Sequence, residues 1–156
     1  MIFKSFIVEK DISKLEKFLA ILFYGENLGL KDDFRELIKE RFNEAEQISF
    51  QQNDLIKNPD LLNEQILNTS LFSKAKVIIV YDFSDKLKKI VNDAIESADD
   101  NTKIVLFAEN LDKKSSIRAA FEKEQNLAII PCYKDNEKTL SIYIREKLRD
   151  YQGLTQ

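Results

Sequence analysis

A glycine, a lysine and several acids fall at positions that invite phosphate chemistry, yet none completes it. Gly25-Glu-Asn-Leu-Gly-Leu-Lys-Asp32 follows the short apolar run Ile21-Leu-Phe-Tyr24. A phosphate-binding loop needs Gly-x4-Gly-Lys-Ser/Thr, so that backbone N–H groups wrap the phosphates and the hydroxyl holds Mg²⁺. Counted from Gly25, the second glycine should stand at position 30, where the chain has Leu30. Lys31 is in place, but Asp32 replaces the hydroxyl, and the Asp32-Asp33 pair would repel phosphate oxygens. The segment reads as a degenerate nucleotide loop, and no cofactor is expected.

Other acids lie at the ends of apolar runs. Asp82 follows Val77 to Tyr81 where a Walker B acid would stand, but Phe83 takes the place of the catalytic glutamate. Asn110 occupies the position of a sensor side chain; without phosphates to sense it is a turn residue. Glu26, Asp82 and Lys134, after the first, third and fifth apolar runs, give an alternative: they resemble a receiver domain, in which acids hold Mg²⁺ and an Asp accepts a phosphoryl group. A receiver needs paired acids at its first strand, and this chain supplies Glu26 alone. The absence of histidine removes Ser-His-Asp and Cys-His catalysis and imidazole-ligated metals. With Cys132 as the single cysteine, a structural zinc site is also out, and no metal-ligating set is expected.

The second kind of candidate is apolar. Thr69-Ser-Leu-Phe-Ser73 places Leu71 and Phe72 between two serines, just before Val77-Ile-Ile-Val80. A Leu-Phe step presented at an element end suits a hydrophobic pocket on a partner. The competing reading tucks both side chains under the sheet. Lys74 and Lys76 offer steering toward an acidic partner, or are solvated charges at a strand entrance.

These residues must be held by alternating elements. Ile21 to Tyr24, Ile48 to Phe50, Val77 to Tyr81, Lys103 to Phe107 and Leu127 to Ile130 read as strands. Between them, Leu30, Phe34, Leu37, Ile38 and Phe42 mark a helix near 30–43. Asn58-Pro59 is expected to open a helix through about Leu67. Ser84 is expected to cap a helix striped by Leu87, Ile90, Val91, Ala94, Ile95 and Ala98, and Asp112 one carrying Ile117, Ala120 and Phe121. A lead-in helix carries Ile12, Leu15 and Leu19, and a last one Leu140, Tyr143, Ile144 and Leu148. Continuous apolar strands separated by helices predict an α/β three-layer sandwich, a five-stranded, mostly parallel sheet with helices on both faces.

Composition bounds the rest. The 156 residues suit one domain with a substantial core, and 33% charged residues describe a soluble, cytoplasmic protein with no membrane span. The net charge of −3 and the pI near 5.2 argue against an autonomous nucleic-acid binder and favour a protein partner.

Taken in order, Leu22-Phe-Tyr-Gly-Glu26, Ser70-Leu-Phe72 before Lys76-Val-Ile-Ile-Val80, Lys103-Ile-Val-Leu-Phe107 with Asn110-Leu-Asp-Lys-Lys-Ser115, and Ile129-Ile-Pro-Cys-Tyr133 resemble the N-terminal, AAA+-like domain of the delta subunit of bacterial DNA polymerase III. The resemblance implies a clamp-loader subunit of DNA replication, without catalysis in this domain. Its Ser-Leu-Phe tip enters a pocket on the sliding clamp, the beta subunit, and helps open the ring. Carried over, the clamp-binding residues are Leu71 and Phe72 with Ser70 and Thr69. Thr69 departs from the larger apolar residue common in the family. The implied partners are the clamp and, in the full-length protein, other loader subunits, with DNA contacted only indirectly and no membrane. Residues 1–156 would be a single AAA+-like domain. The lid and collar are absent, so such a chain is expected to bind clamp but not to join the loader.

Overall fold

The computed structural model describes residues 1–68 and 75–134, with Arg145 and Lys147, Leu148 and Arg149 in a helical stretch. Thr69, Ser70, Leu71, Phe72 and Lys74 lie outside the described residues, as do Leu140, Tyr143 and Ile144.

The elements run α1 (Ser5–Lys10), a 3-10 turn (Ile12–Leu15), β1 (Ala20–Tyr24), α2 (Leu28–Arg41), β2 (Glu46–Gln51), α3 (Gln52–Lys57), α4 (Leu61–Leu67) and β3 (Lys76–Phe83). A second 3-10 turn (Asp85–Leu87) leads into α5 (Lys88–Ser97), then β4 (Thr102–Ala108), α6 (Ser116–Lys123) and β5 (Leu127–Pro131). The five strands pair in parallel in the order β2-β3-β4-β1-β5. Ile2 adds a parallel bridge to Ile129 at the β5 edge. The α/β sandwich with a parallel sheet stands as expected.

Each central strand is buried on both faces, which is why it carries no apolar–polar alternation. All five residues of β1 are buried, and successive residues serve opposite layers. Leu22, Ile78, Val80, Ile104 and Leu106 join Leu62, Leu87, Val91 and Phe121 in one cluster. Ile21, Phe23, Val77, Ile79 and Val105 join Leu15, Phe18, Phe34 and Ile38 in the other. The apolar stripe stands as read: Leu87 in the second 3-10 turn and Val91 and Ala94 on α5 are buried, with Ile90, Ile95 and Ala98 packed beside them. Ser84 does not cap α5 itself; it accepts from the Lys86 N–H at 3.4 Å and caps the 3-10 turn before it.

Three further local expectations are corrected. Asn58 ends a helix rather than starting one: its N–H donates to the Asp54 carbonyl, 3.1 Å away, and closes α3. Helix α4 starts only at Leu61, after Asp60. The lead-in segment breaks at Asp11, whose carboxylate accepts from the Ser13 N–H at 3.2 Å and starts the 3-10 turn. Helix α6 is capped by Ser115, which accepts from the Arg118 N–H at 3.3 Å; Asp112 instead accepts from the Lys114 N–H in the preceding turn.

Helix α2 is seated on the sheet by an aromatic row. Phe34 stacks on Phe23 with 4.8 Å between centroids, Phe23 on Phe107 at 5.1 Å, and Phe107 on Tyr81 at 5.7 Å. Phe34 is fully buried. Phe34→Ala should cost about 3–5 kcal/mol by cavity formation, lowering the melting temperature by roughly 10 °C for a chain of this size. A thermal melt unchanged from wild type would contradict this packing.

Candidate functional site

The sequence puts its phosphate candidates at the carboxyl ends of β1 and β4, where α/β sheets bind ligands. There the chain turns in three residues, 25–27. Gly25 adopts φ +127, a conformation that L side chains rarely take, and a Cβ on it would overlap the Cys132 carbonyl. The Gly25 N–H donates to the Glu109 carbonyl and the Asn27 N–H to the Cys132 carbonyl, 3.0 Å away. The ends of β1, β4 and β5 are thereby knotted together.

Helix α2 then starts at Leu28, in the stretch a phosphate loop would need. The Asn27 side chain accepts from the Leu30 N–H at 3.1 Å, and the Asn27 carbonyl accepts from the Lys31 N–H at 3.1 Å. Those two donors serve the helix and are not offered to an anion. Leu30 packs half-buried against the Phe34 layer. Lys31 does not reach outward. It is buried, and its ammonium donates to the Ala108 carbonyl at the end of β4, 3.0 Å away. Asp32 forms an ion pair at 3.5 Å with Arg35, one helical turn on. Every member of the degenerate loop has a structural task.

The cavity left here is about 80 Å³, lined by Leu28, Lys31, Asp32, Arg35, Asp82 and Glu109 among others. Ligand pockets are on the order of 300–1,000 Å³. The space is too small, and too acidic on one side, for a nucleoside triphosphate. A larger cavity of about 400 Å³ opens at the amino ends of the strands, where Lys103 donates to the carbonyls of Leu15, at 3.3 Å, and Glu16, at 2.9 Å. That lysine is committed to backbone.

The receiver alternative is corrected by strand order. A receiver-like sheet runs 2-1-3-4-5, with its first and third strands adjacent. Here β4 lies between β1 and β3, which separates the ends carrying Glu26 and Asp82 by about two strand spacings, roughly 10 Å. A receiver brings its acids together on neighbouring strands, and here the strands carrying Glu26 and Asp82 are not neighbours. Glu26 is occupied elsewhere. Its carboxylate accepts from the Lys134 backbone N–H at 3.2 Å, and that bond, first among the causes, holds its pKa below the usual range. Asp82 is exposed with φ 55 inside β3, at the irregularity in pairing between Val80 and Phe83; it marks a break in the strand's register rather than a turn. Asn110 is likewise exposed. Among the described residues no group of three metal-ligating side chains converges.

The remaining polar features of this end also serve the fold. The Tyr24 and Tyr133 hydroxyls lie 2.8 Å apart, with the Arg118 guanidinium 4.9 Å over the Tyr24 ring. Burial is the main cause that raises the Tyr24 pKa. Cys132 is buried, and that burial pushes its thiol up to about 12, so it is an inert apolar filler, as its surroundings in the sequence suggest.

No family model and no curated protein matches the sequence. The Bacillus subtilis DNA clamp loader delta protein (YqeN) is similar in structure, with a TM-score of 0.69 at 17% identity over 89% of this chain. The chain shares the fold of the matched part of that protein. The match spans 45% of the YqeN chain, so the present chain corresponds to less than half of it. No helix among the described residues is long and apolar enough to cross a membrane.

The delta-like fold places one sequence candidate differently from expectation. Lys76 is no surface steering charge. It is 6% exposed, and its ammonium donates to the carbonyls of Gln65, 2.5 Å away, and Asn68. The only signal in the sequence was a lysine directly preceding the most β-rich run, which does not reveal a helix end above it.

With the loop's donors occupied and its cavity small, calorimetry should register no heat on adding Mg-ATP. Beryllium fluoride with Mg²⁺ should leave Asp82 without an adduct. Micromolar ATP binding, or a stable Mg²⁺-dependent adduct on Asp82, would overturn the closed-site account.

Proposed function

We propose that this chain is the AAA+-like domain of a clamp-loader delta subunit, which binds a sliding clamp through Leu71 and Phe72 and helps open the ring in DNA replication. The observation that carries the reading is the delta-protein fold over 89% of the chain. The closed phosphate site supports it, since a subunit that only binds and levers needs no nucleotide of its own. The remaining loader subunits would engage parts of a full-length protein beyond this domain.

The surroundings of residues 69–74 add physical support. Leu67, the last residue of α4, is 74% exposed and stands four positions before Leu71. It supplies exposed apolar surface two positions before Thr69 in the sequence, where the family pattern would have a larger side chain. Burying an exposed Leu and Phe is worth about 1.5–3 kcal/mol each, enough to anchor a modest interface. Ring opening follows if the domain fits an open clamp better than a closed one, because a ligand shifts an equilibrium only by its differential affinity.

The test is a Leu71→Ala/Phe72→Ala variant examined by thermal melt and by titration with purified bacterial sliding clamp. The variant should melt within about 1 °C of wild type and lose roughly 100-fold or more in affinity. If both side chains were core, the melt would instead fall sharply through cavity formation. An early melt or undiminished clamp binding defeats the wedge.

A further inference from the structure

We propose that Lys76 is a positioning residue for clamp binding: its buried ammonium fastens the C-terminal end of α4 and thereby fixes where the segment carrying Leu71 and Phe72 departs. This rests on the clamp-binding reading above and adds to it a residue that need never touch the clamp.

Helix α4 has seven residues, no side-chain N-cap, and Leu62 as its one buried residue. A helix so short does not persist without tertiary support. Its last carbonyls have no partners within the helix and carry the negative end of its dipole, so a cation is favoured there. Lys76 supplies it, donating to the carbonyls of Gln65, at 2.5 Å, and Asn68.

The lysine is itself rigidly held. Its N–H donates to the Asn101 carbonyl at 2.8 Å, and it sits in register with Glu46 on β2 and Thr102 on β4. The far end of the intervening segment is tied as well, since the Ala75 carbonyl accepts from the Glu46 N–H at 3.0 Å. Both anchors therefore converge on one corner at the amino end of β3. Apparent affinity scales with the fraction of molecules already in the binding geometry, and loosening one anchor lowers that fraction.

The test compares Lys76→Met, Lys76→Arg and Leu71→Ala/Phe72→Ala in the full chain, titrated with sliding clamp at a temperature where melts show every variant folded. Lys76→Met should weaken binding about tenfold, as expected if the competent fraction drops to about a tenth. The salt dependence of its association rate should match wild type, because a buried charge does not steer encounter. Lys76→Arg, which keeps a cation able to reach the same carbonyls, should recover most of the loss. Wild-type affinity in Lys76→Met, a flattened salt dependence, or no recovery in Lys76→Arg overturns the inference while leaving the wedge intact. Normal binding by Leu71→Ala/Phe72→Ala overturns the wedge itself, and this inference with it.

Discussion

The close approach of Gly25 to the Cys132 carbonyl is the constraint on which the carboxyl end of the sheet depends. Only a residue without a Cβ, at φ +127, lets the chain leaving β1 pass so near β5. That passage brings the Gly25 N–H to the Glu109 carbonyl of the chain leaving β4 and the Asn27 N–H to Cys132. Asn27 is then placed to cap α2, which must start at Leu28. A helix starting there carries Lys31 inward to the Ala108 carbonyl. The closed phosphate site follows from one glycine contact and the short turn it permits.

The two ends of the sheet consequently differ in character. At the carboxyl ends, polar groups that could meet a ligand are occupied by the fold: Lys31 by Ala108, Asp32 by Arg35, Glu26 by the Lys134 N–H. At the amino ends, Lys76 and Lys103 hold carbonyls of α4 and of the lead-in segment, while Leu67 stays exposed. In the sequence the proposed clamp-binding pair stands between α4 and β3.

Much of the fold was legible in the sequence because parallel strands buried on both faces lose their alternation. Ile21 to Tyr24, Val77 to Tyr81 and Lys103 to Phe107 could be read as such, and the α5 stripe by its helical period. The errors came from residues whose local chemistry suits either side of a boundary. Asn58 can open a helix or end one, and the N–H it donates to Asp54 decided the matter. Asp112 and Ser115 can both cap α6, and the chain uses Ser115, whose hydroxyl also donates to Asp85 at 2.7 Å. In the candidate site, the departures from the phosphate-loop pattern at Leu30 and Asp32 are plain in the sequence. The burial of Lys31 and Lys76 did not show, because both depend on carbonyls far away in sequence or across a crossover.

Hydrogen exchange of the chain with and without saturating sliding clamp tests the central claim most directly, because it maps contact along the whole backbone at once. The account predicts slowed exchange concentrated around residues 67–76, with residues 25–35 and the strand around Asp82 unchanged. Slowed exchange centred on 25–35, or none anywhere at clamp concentrations that saturate a clamp-loader delta protein, would contradict it.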